Sequence, residues 1–514
     1  MFNYIRNNYH FHLLLIITSL GFVLFYGHRG VYPIDSFIIF NSGYNVYNGV
    51  HPFKDYWSIS GPILDYIQAL FFLIFGLNWK SYVIHSLFIN IIIVSISFYF
   101  FQKLKINNYF SFLYSLSIAI LAYPQIGTPF MDHHAFYFSY LSIIFISLGT
   151  LNNRKLFWSL IPITLFISFF SKQIPSSYIL VLLFIFLIYY LKNNKSKVKN
   201  IIKGLSFGTI TTLFLFLLWI FLAEIPFENF ILQYFHYPMS IADSRIEKIK
   251  FDANSFIFQY KFIYISLLIP LIYFIKNFKR DIKYKNFTFN FFILNLILFF
   301  SFVFSQIITK NQVIIFFLIP YFLAVSHYFI SINKGRSLYY YPVIILLVFI
   351  TLKYHDRFNN SKKFMELVDA NFDTAIDAEI LDEKFRGLQW ITNKFMDNPM
   401  KELKLLNESK KIMKKSNFNY IIVTDYQFFP LLLNLKNTSP AKWYDAMSVP
   451  NKKNIYHNKF KNYFITNLKK QKIDYIYLID KGKYPLNKLF GDQNCVIFSK
   501  INEILYLSNI NKCY

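Results

Sequence analysis

The chain has 514 residues, of which 55% are hydrophobic and 21% aromatic, and only 16% are charged. A water-soluble domain holds about 25% charged residues, so this composition excludes an ordinary soluble protein and requires a bilayer as the main solvent. The net charge of +26 would suit nucleic-acid binding, but no recognition motif or basic-aromatic surface unit accompanies it. Cys495 and Cys513 are the only cysteines, which excludes a disulfide framework or a cysteine metal site and leaves room for one bridge.

A spanning helix needs about 20 mainly apolar residues. Such stretches recur near 11–27, 80–101, 109–126, 134–151, 156–171, 174–191, 201–223, 259–276, 287–308, 312–330 and 338–353. The first follows MFNYIRNNYHFH, which carries Arg6, no acid and no small-residue cleavage site, so it reads as a retained anchor with a cytoplasmic N-terminus. GPILDYIQALFFLIFG at 61–76 is short, opens on Gly-Pro and carries Asp65 and Gln68, which predicts a helix lying along the outer surface. If it does not cross, Lys103, Lys105, Arg154, Lys155, the basic runs at 192–199 and 276–285, Lys334 and Arg336 all fall in the cytoplasm. If it does cross, every one flips. The same topology puts Asp35, Asp55, Asp65, Asp132, Glu224, Glu228, Asp243, Glu247 and Asp252 outside and Asp281 inside. Chemistry is therefore expected on the outer face.

Four outer segments could carry it. In the first, Asp35 follows Pro33 at the lipid boundary, where a carboxylate can act as a general base; Pro-x-Asp also suits a helix N-cap. In the second, YPQIGTPFMDHHAFYF at 123–138, Asp132 precedes His133 and His134. Adjacent helical residues do not share a face, so the two imidazoles cannot chelate together, and no zinc spacing surrounds them. They read as interfacial residues or as one hydrogen-bond donor, and no metal is expected. In the third, Lys172 and Gln173 interrupt two apolar runs, where an ammonium either snorkels or meets a lipid phosphate. The fourth, 224–251, interleaves aromatics with His236, Tyr237 and Arg245. A guanidinium fork suits a phosphate diester, and pairing of Arg245 with Asp243 or Glu247 is the alternative. Lys310, Asn311 and Gln312 form a weaker set of the same type.

Residues 354–514 change character, with ordinary charge density and few long apolar runs. The polar segment 361–385 reads as a surface helix or linker. A helix at KELKLLNESKKIMKKS, a strand at 419–425, a helical QFFPLLLNL, a helix at KFKNYFITNLKKQK, a strand at 473–480 and a terminal strand pair then predict a small, partly parallel α/β domain. Asp425 and Asp480 stand at strand ends, where such sheets bind ligands. Because Gly387, Gly482 and Gly491 build no phosphate loop, the two acids read as turn or cap residues. No Walker A, GxSxG or HExxH pattern occurs, and no internal repeat is visible.

The order of a first span, Asp35, NVYNGVHPFKDYW, GPILDYIQALFFLIFG and a further span resembles the opening of the C-superfamily membrane glycosyltransferases. That superfamily includes the protein O-mannosyltransferases and the transferases that add aminoarabinose to lipid A. Gly49, Pro52, Phe53, Asp55, Trp57 and Pro62 match its first-loop pattern, and Asp132 matches an acid found after the third span. Asp35-Ser36 stands where many relatives carry two acids, Ile38 where the aminoarabinose enzymes carry Arg, and Ser60-Gly61 where Glu-Lys is frequent. Donor-phosphate contacts made there in relatives must come from elsewhere in this chain.

The reading is a polytopic α-helical membrane protein of about eleven spans with outer interfacial helices and a C-terminal extracytoplasmic α/β domain, divided at 1–353 and 354–514. The resemblance implies a bacterial inner-membrane enzyme that moves a sugar from a polyprenyl-phosphate donor to an extracytoplasmic lipid, glycan or protein by inverting displacement. No cofactor is indicated. Asp35 would be catalytic, and Asp55, Asp132, His133, Lys172, His236, Tyr237 and Arg245 would surround the substrates. A lipid-linked glycan transporter and a polysaccharide polymerase or ligase are the rival readings.

Overall fold

Backbone groups in hydrocarbon must bond to one another, so long apolar runs close into helices. The computed structural model describes residues 8–122, 126–242, 246–247, 249, 252–284, 286–309, 315–333, 337–445, 447–480, 486–490 and 495–513. Among these, seven helices are long and apolar enough to cross a membrane: Tyr9–Gly27, Trp79–Lys103, Met131–Asn152, Ser176–Asn193, Lys195–Leu222, Lys261–Phe278 and Phe287–Thr309. Met131–Asn152 is the hub of the bundle, with 94% of its most apolar window buried, whereas Lys195–Leu222 has 11% buried and lies at the periphery.

Four further stretches expected to span form the shorter helices Asn108–Leu121, Lys155–Phe169, Leu318–Ile332 and Tyr340–His355. Their 14 to 16 residues rise only about 21–24 Å against a hydrocarbon thickness of about 30 Å. The apolar stretches continue past the helix ends, into Ala122 in one case and Phe170 and Ser171 in another.

Residues 61–76 form the 13-residue helix Ile63–Phe75, opened after Pro62 and ended at Gly76, whose φ is +86°. It buries Leu64, Asp65, Gln68 and Phe72 and leaves Leu70, Leu73 and Ile74 exposed, so its polar groups face protein and its aliphatic edge faces outward. It packs on the helix Ile38–Tyr47. Gly43 permits the approach, since a Cβ there would meet Gln68 Cγ at 2.5 Å.

The segment 361–385 does not form the surface helix that its pattern offered as one alternative. It is a string of 3₁₀ turns at Lys363–Met365, Phe372–Thr374, Ala378–Ile380 and Glu383–Phe385. Asn371, Asp377 and Asp382 each accept a hydrogen bond from the backbone N–H two residues on, and this local competition breaks the helix. Within this segment and just after it, strands β1 (Ile376–Asp377) and β2 (Gln389–Trp390) pair antiparallel.

The remainder builds one sheet from β3 (Tyr420–Thr424), β4 (Tyr475–Ile479), β5 (Ser499–Lys500) and β6 (Leu505–Asn509), in the order β3-β4-β6-β5. β3 runs parallel to β4 with Tyr420 opposite Tyr475, and β6 pairs antiparallel with both β4 and β5. Helices Pro399–Lys414 and His457–Lys470 accompany the sheet, and Cys495 is bonded to Cys513.

Backbone hydrogen bonds tie this tail to the segment after the first span. Gly30 and Val31 donate to Gln389 and Ile391 at 3.0 Å each, and Gln389 donates back to His28 at 2.8 Å. Trp57 donates to Pro440 and accepts from Lys442, at 2.9 Å each, while its indole donates to the Ser448 carbonyl at 3.2 Å. The tail therefore forms one wall of whatever space these segments enclose.

Candidate functional site

That space is a cavity of about 560 Å³ between the bundle and the tail. Pro33 fixes the short helical turn Pro33–Ser36, whose N-cap residue is Tyr32. Asp35 therefore lies inside the first turn and is not the helix cap that Pro-x-Asp suggests. Its N–H donates to the Tyr32 carbonyl at 3.0 Å, and the Trp443 indole donates to the Ile34 carbonyl at 3.1 Å. The Asp35 carboxylate, half-buried in the cavity wall, has no ion-pair partner among the described residues. Burial, with smaller contributions from Asp132 and Asp445, pushes its pKa up from 3.8 to about 7, against an opposing pull from Lys172.

Asp132 and Lys172 line the same cavity and form an ion pair of 2.6 Å. The Asp132 carboxylate is almost fully enclosed in the first turn of Met131–Asn152, where the positive end of the helix favours it. The Lys172 side chain stays partly open to the cavity. The turn bearing Lys172 is held against the first outer segment by Gly61, which donates to Ser171 at 3.1 Å. A Cβ at Gly61 would lie 1.7 Å from the Phe170 carbonyl oxygen, so only glycine fits here. Gln173 closes the arrangement by donating to the carbonyls of Ile59 at 3.0 Å and Tyr234 at 2.9 Å.

The tail supplies groups that sequence reasoning missed. Trp443, Asp445, Met447 and Ser448 line the cavity. Asp445 is fixed by accepting from the N–H groups of Met447 and Ser448 and from the Ser448 hydroxyl, at 2.7, 3.0 and 2.6 Å. Next to it, buried Lys442 pairs with buried Asp65 at 2.7 Å. Asp65 also accepts from the hydroxyls of Ser42 and Tyr56, at 2.7 and 2.9 Å. Burial holds the Lys442 pKa below its ordinary value, and the charge of Asp65 opposes that shift. The one sequence signal was Asp65 itself, an acid inside an apolar helix that requires a hidden cation.

Four other predicted residues, Asp55, His133, His236 and Tyr237, do not line the cavity. Asp55 closes the 51–55 turn by accepting from the His51 N–H at 2.9 Å, and it meets Lys470 at 3.2 Å. His133 is buried and stacks on Tyr137, with ring centroids 5.7 Å apart. Its neighbour His134 faces His85 instead, with 3.0 Å between ring nitrogens. His236 is exposed and stacks on Tyr456. Tyr237 is buried, donating to the Met447 carbonyl at 3.1 Å and packing edge-on against Trp57. Their neighbours Tyr234, Phe235, Pro238 and Met239 line the cavity in their place. Arg245, and the weaker set at Lys310, Asn311 and Gln312, fall outside the described residues. Among the described residues no cluster of three or more His, Cys, Asp or Glu could hold a metal. The cavity thus joins a carboxylate and an ammonium to walls built partly from spans, with Tyr178 from Ser176–Asn193 and Ile308 from Phe287–Thr309.

No family model matches the chain, and no curated protein matches it by sequence. Among solved structures it is similar to ArnT from Cupriavidus metallidurans in the apo state, at 10% identity over 96% of this chain and 97% of that one, with a TM-score of 0.50. It is also similar to the archaeal oligosaccharyltransferase AglB from Archaeoglobus fulgidus, solved with an inhibitory peptide and a dolichol-phosphate. There the identity is 11% over 91% of this chain and 69% of that one, with a TM-score of 0.43. The likeness to ArnT, over nearly the full length of both chains, is one of fold. The chain is an integral multi-pass membrane protein whose fold is similar to that of ArnT, with a small C-terminal sheet domain.

Proposed function

We propose that this protein is a glycosyltransferase that takes a sugar from a polyprenyl-phosphate donor and passes it to a hydroxyl acceptor on the extracytoplasmic side of the membrane. The observation that carries the reading is that Asp35, without an ion-pair partner among the described residues, shares one cavity with the partly open Lys172. Lys172 would meet the donor phosphate, and Asp132 would hold it in place. The polyprenyl tail would leave along the apolar wall past Ile308 and Phe235.

Asp35 would accept the acceptor's hydroxyl proton as the oxygen attacks the anomeric carbon. The new C–O bond forms as the bond from that carbon to the phosphate oxygen breaks, and polyprenyl phosphate leaves with the electron pair. Attack opposite the leaving group inverts the anomeric centre. A carboxylate with a pKa near 7 is a stronger base than an ordinary one and is still substantially ionised at neutral pH. If the acceptor is itself a phosphate, no base is needed, and Asp35 orients the acceptor instead. The outer placement is supported by the positive-inside rule and by the Cys495–Cys513 bridge, since disulfides persist in oxidising compartments.

The test is purified Asp35→Asn protein with a lipid-linked donor and a hydroxyl acceptor. Loss of a general base lowers the rate by about 100- to 10,000-fold, and donor binding should stay near wild type. Transfer at close to the wild-type rate would reduce Asp35 to a structural residue.

A further inference from the structure

A second cavity, of about 420 Å³, adjoins the first, and Phe364 stands in the wall of both. It lies where the helix Lys261–Tyr284 begins and the helix Tyr340–His355 ends, against the turn Lys363–Met365. Lys261, Lys353, Arg357 and Lys363 line it. Glu366 is the one acid in the lining, and one of its carboxylate oxygens accepts from Asn393 Nδ2 at 2.7 Å. None of the four cations has a carboxylate partner among the described residues.

Aromatic faces hold three of these cations. The ammonium groups of Lys261 and Lys353 lie 5.4 and 5.1 Å from the Phe262 ring centre, and the Arg357 guanidinium lies 5.3 Å from that of Phe358. Like charges gathered in one small cavity focus a field that draws in an anion. Along the same two helices, Ile265, Leu268, Ile345, Phe349 and Leu352 are between 42% and 68% exposed, which gives the cationic cavity an adjoining hydrocarbon surface. A soluble anion has no use for that surface, whereas a lipid needs both.

We infer that this cavity binds the phosphate headgroup of an anionic phospholipid, whose acyl chains lie along the exposed faces of the 261–284 and 340–355 helices. Arg357 offers the planar fork that suits two phosphate oxygens, and the lysines add charge around it. A seated headgroup abuts Phe364, so lipid occupancy sets one wall of the neighbouring cavity. The inference does not depend on sugar transfer, because lipid binding is read without a sugar donor.

The experiment uses the full chain in phosphatidylcholine nanodiscs with increasing phosphatidylglycerol, counting retained lipid by native mass spectrometry. At about fivefold in affinity for each cation near an anionic headgroup, Lys353→Gln/Arg357→Gln/Lys363→Gln should weaken phosphatidylglycerol binding by about 100-fold. Phosphatidylcholine retention should not change. The charge-preserving Lys353→Arg/Lys363→Arg, which leaves the Arg357 fork in place, should keep binding within about threefold of wild type and so separates lost charge from lost fold. Equal phosphatidylglycerol retention in wild type and the triple variant would overturn the proposal. Displacement of that lipid by an equal concentration of inorganic phosphate would overturn it too, by assigning the site to a soluble anion.

Discussion

Replacing Asp35 by Asn removes a carboxylate that burial, Asp132 and Asp445 hold at a pKa of about 7 against an ordinary 3.8. A folded-state pKa above the unfolded one means that the native protein binds this proton more tightly than the unfolded chain does. The stability contributed by the protonated carboxyl is fully present below about pH 3.8 and is lost as the pH rises through about 7. Asn mimics the protonated form at every pH. At about 1.4 kcal/mol per tenfold in proton affinity, the interval from 3.8 to about 7 bounds the gain from the substitution at about 4 kcal/mol. Asp35 faces an open cavity, and solvent screening reduces that bound to about 1–2 kcal/mol. Thermal unfolding in detergent should therefore place Asp35→Asn about 1–2 °C above wild type at pH 8, with the two curves converging towards pH 4. Activity should move the opposite way, since the same carboxylate is the proposed base. An Asp35→Asn protein that unfolds at or below the wild-type temperature at pH 8 would mean that a native partner stabilises the charge, which contradicts a desolvated base.

Lys442→Met strands the Asp65 charge in the interior and should lower stability by about 3–5 kcal/mol, whereas adding Asp65→Leu should recover much of the loss; denaturation midpoints decide this. A cysteine introduced at Lys453 should react with an impermeant thiol reagent from outside intact cells, and one at Lys197 should not; the reverse pattern would overturn the assignment of sides. Asp425→Asn combined with Asp480→Asn should change transfer by less than about tenfold, since neither residue lines the cavity and Asp480 pairs with Lys394. Abolished turnover in that folded double variant would make the tail catalytic.

The membrane class was legible because hydrocarbon imposes it on composition, and the 61–76 stretch betrayed its short helix through its length and its buried Asp65 and Gln68. Lys172 was legible for a related reason, as a charge that interrupts two apolar runs. The helix ends were not, because hydropathy does not register where the backbone leaves the helix, as at Ala122 and Phe170. The 3₁₀ turns at 363–385 were hidden because Asn371, Asp377 and Asp382 read as the polar face of a helix, although their side chains compete for backbone N–H groups. The partners of the site were beyond reach for a topological reason. Lys442 and Asp65 are 377 residues apart, and the loop that carries Trp443 and Asp445 has no periodicity to mark it. His134 likewise meets His85 from 49 residues away, while the adjacent His133 turns to Tyr137.

The most direct test of a lipid-phosphate donor site beside Asp35 is an experimental structure of the full chain with polyprenyl phosphate bound. The phosphate should lie about 2.7–3.2 Å from Lys172 Nζ, with the prenyl tail running past Ile308 and Phe235. Polyprenyl phosphate seated instead among Lys353, Arg357 and Lys363, with the cavity at Asp35 empty, would contradict it.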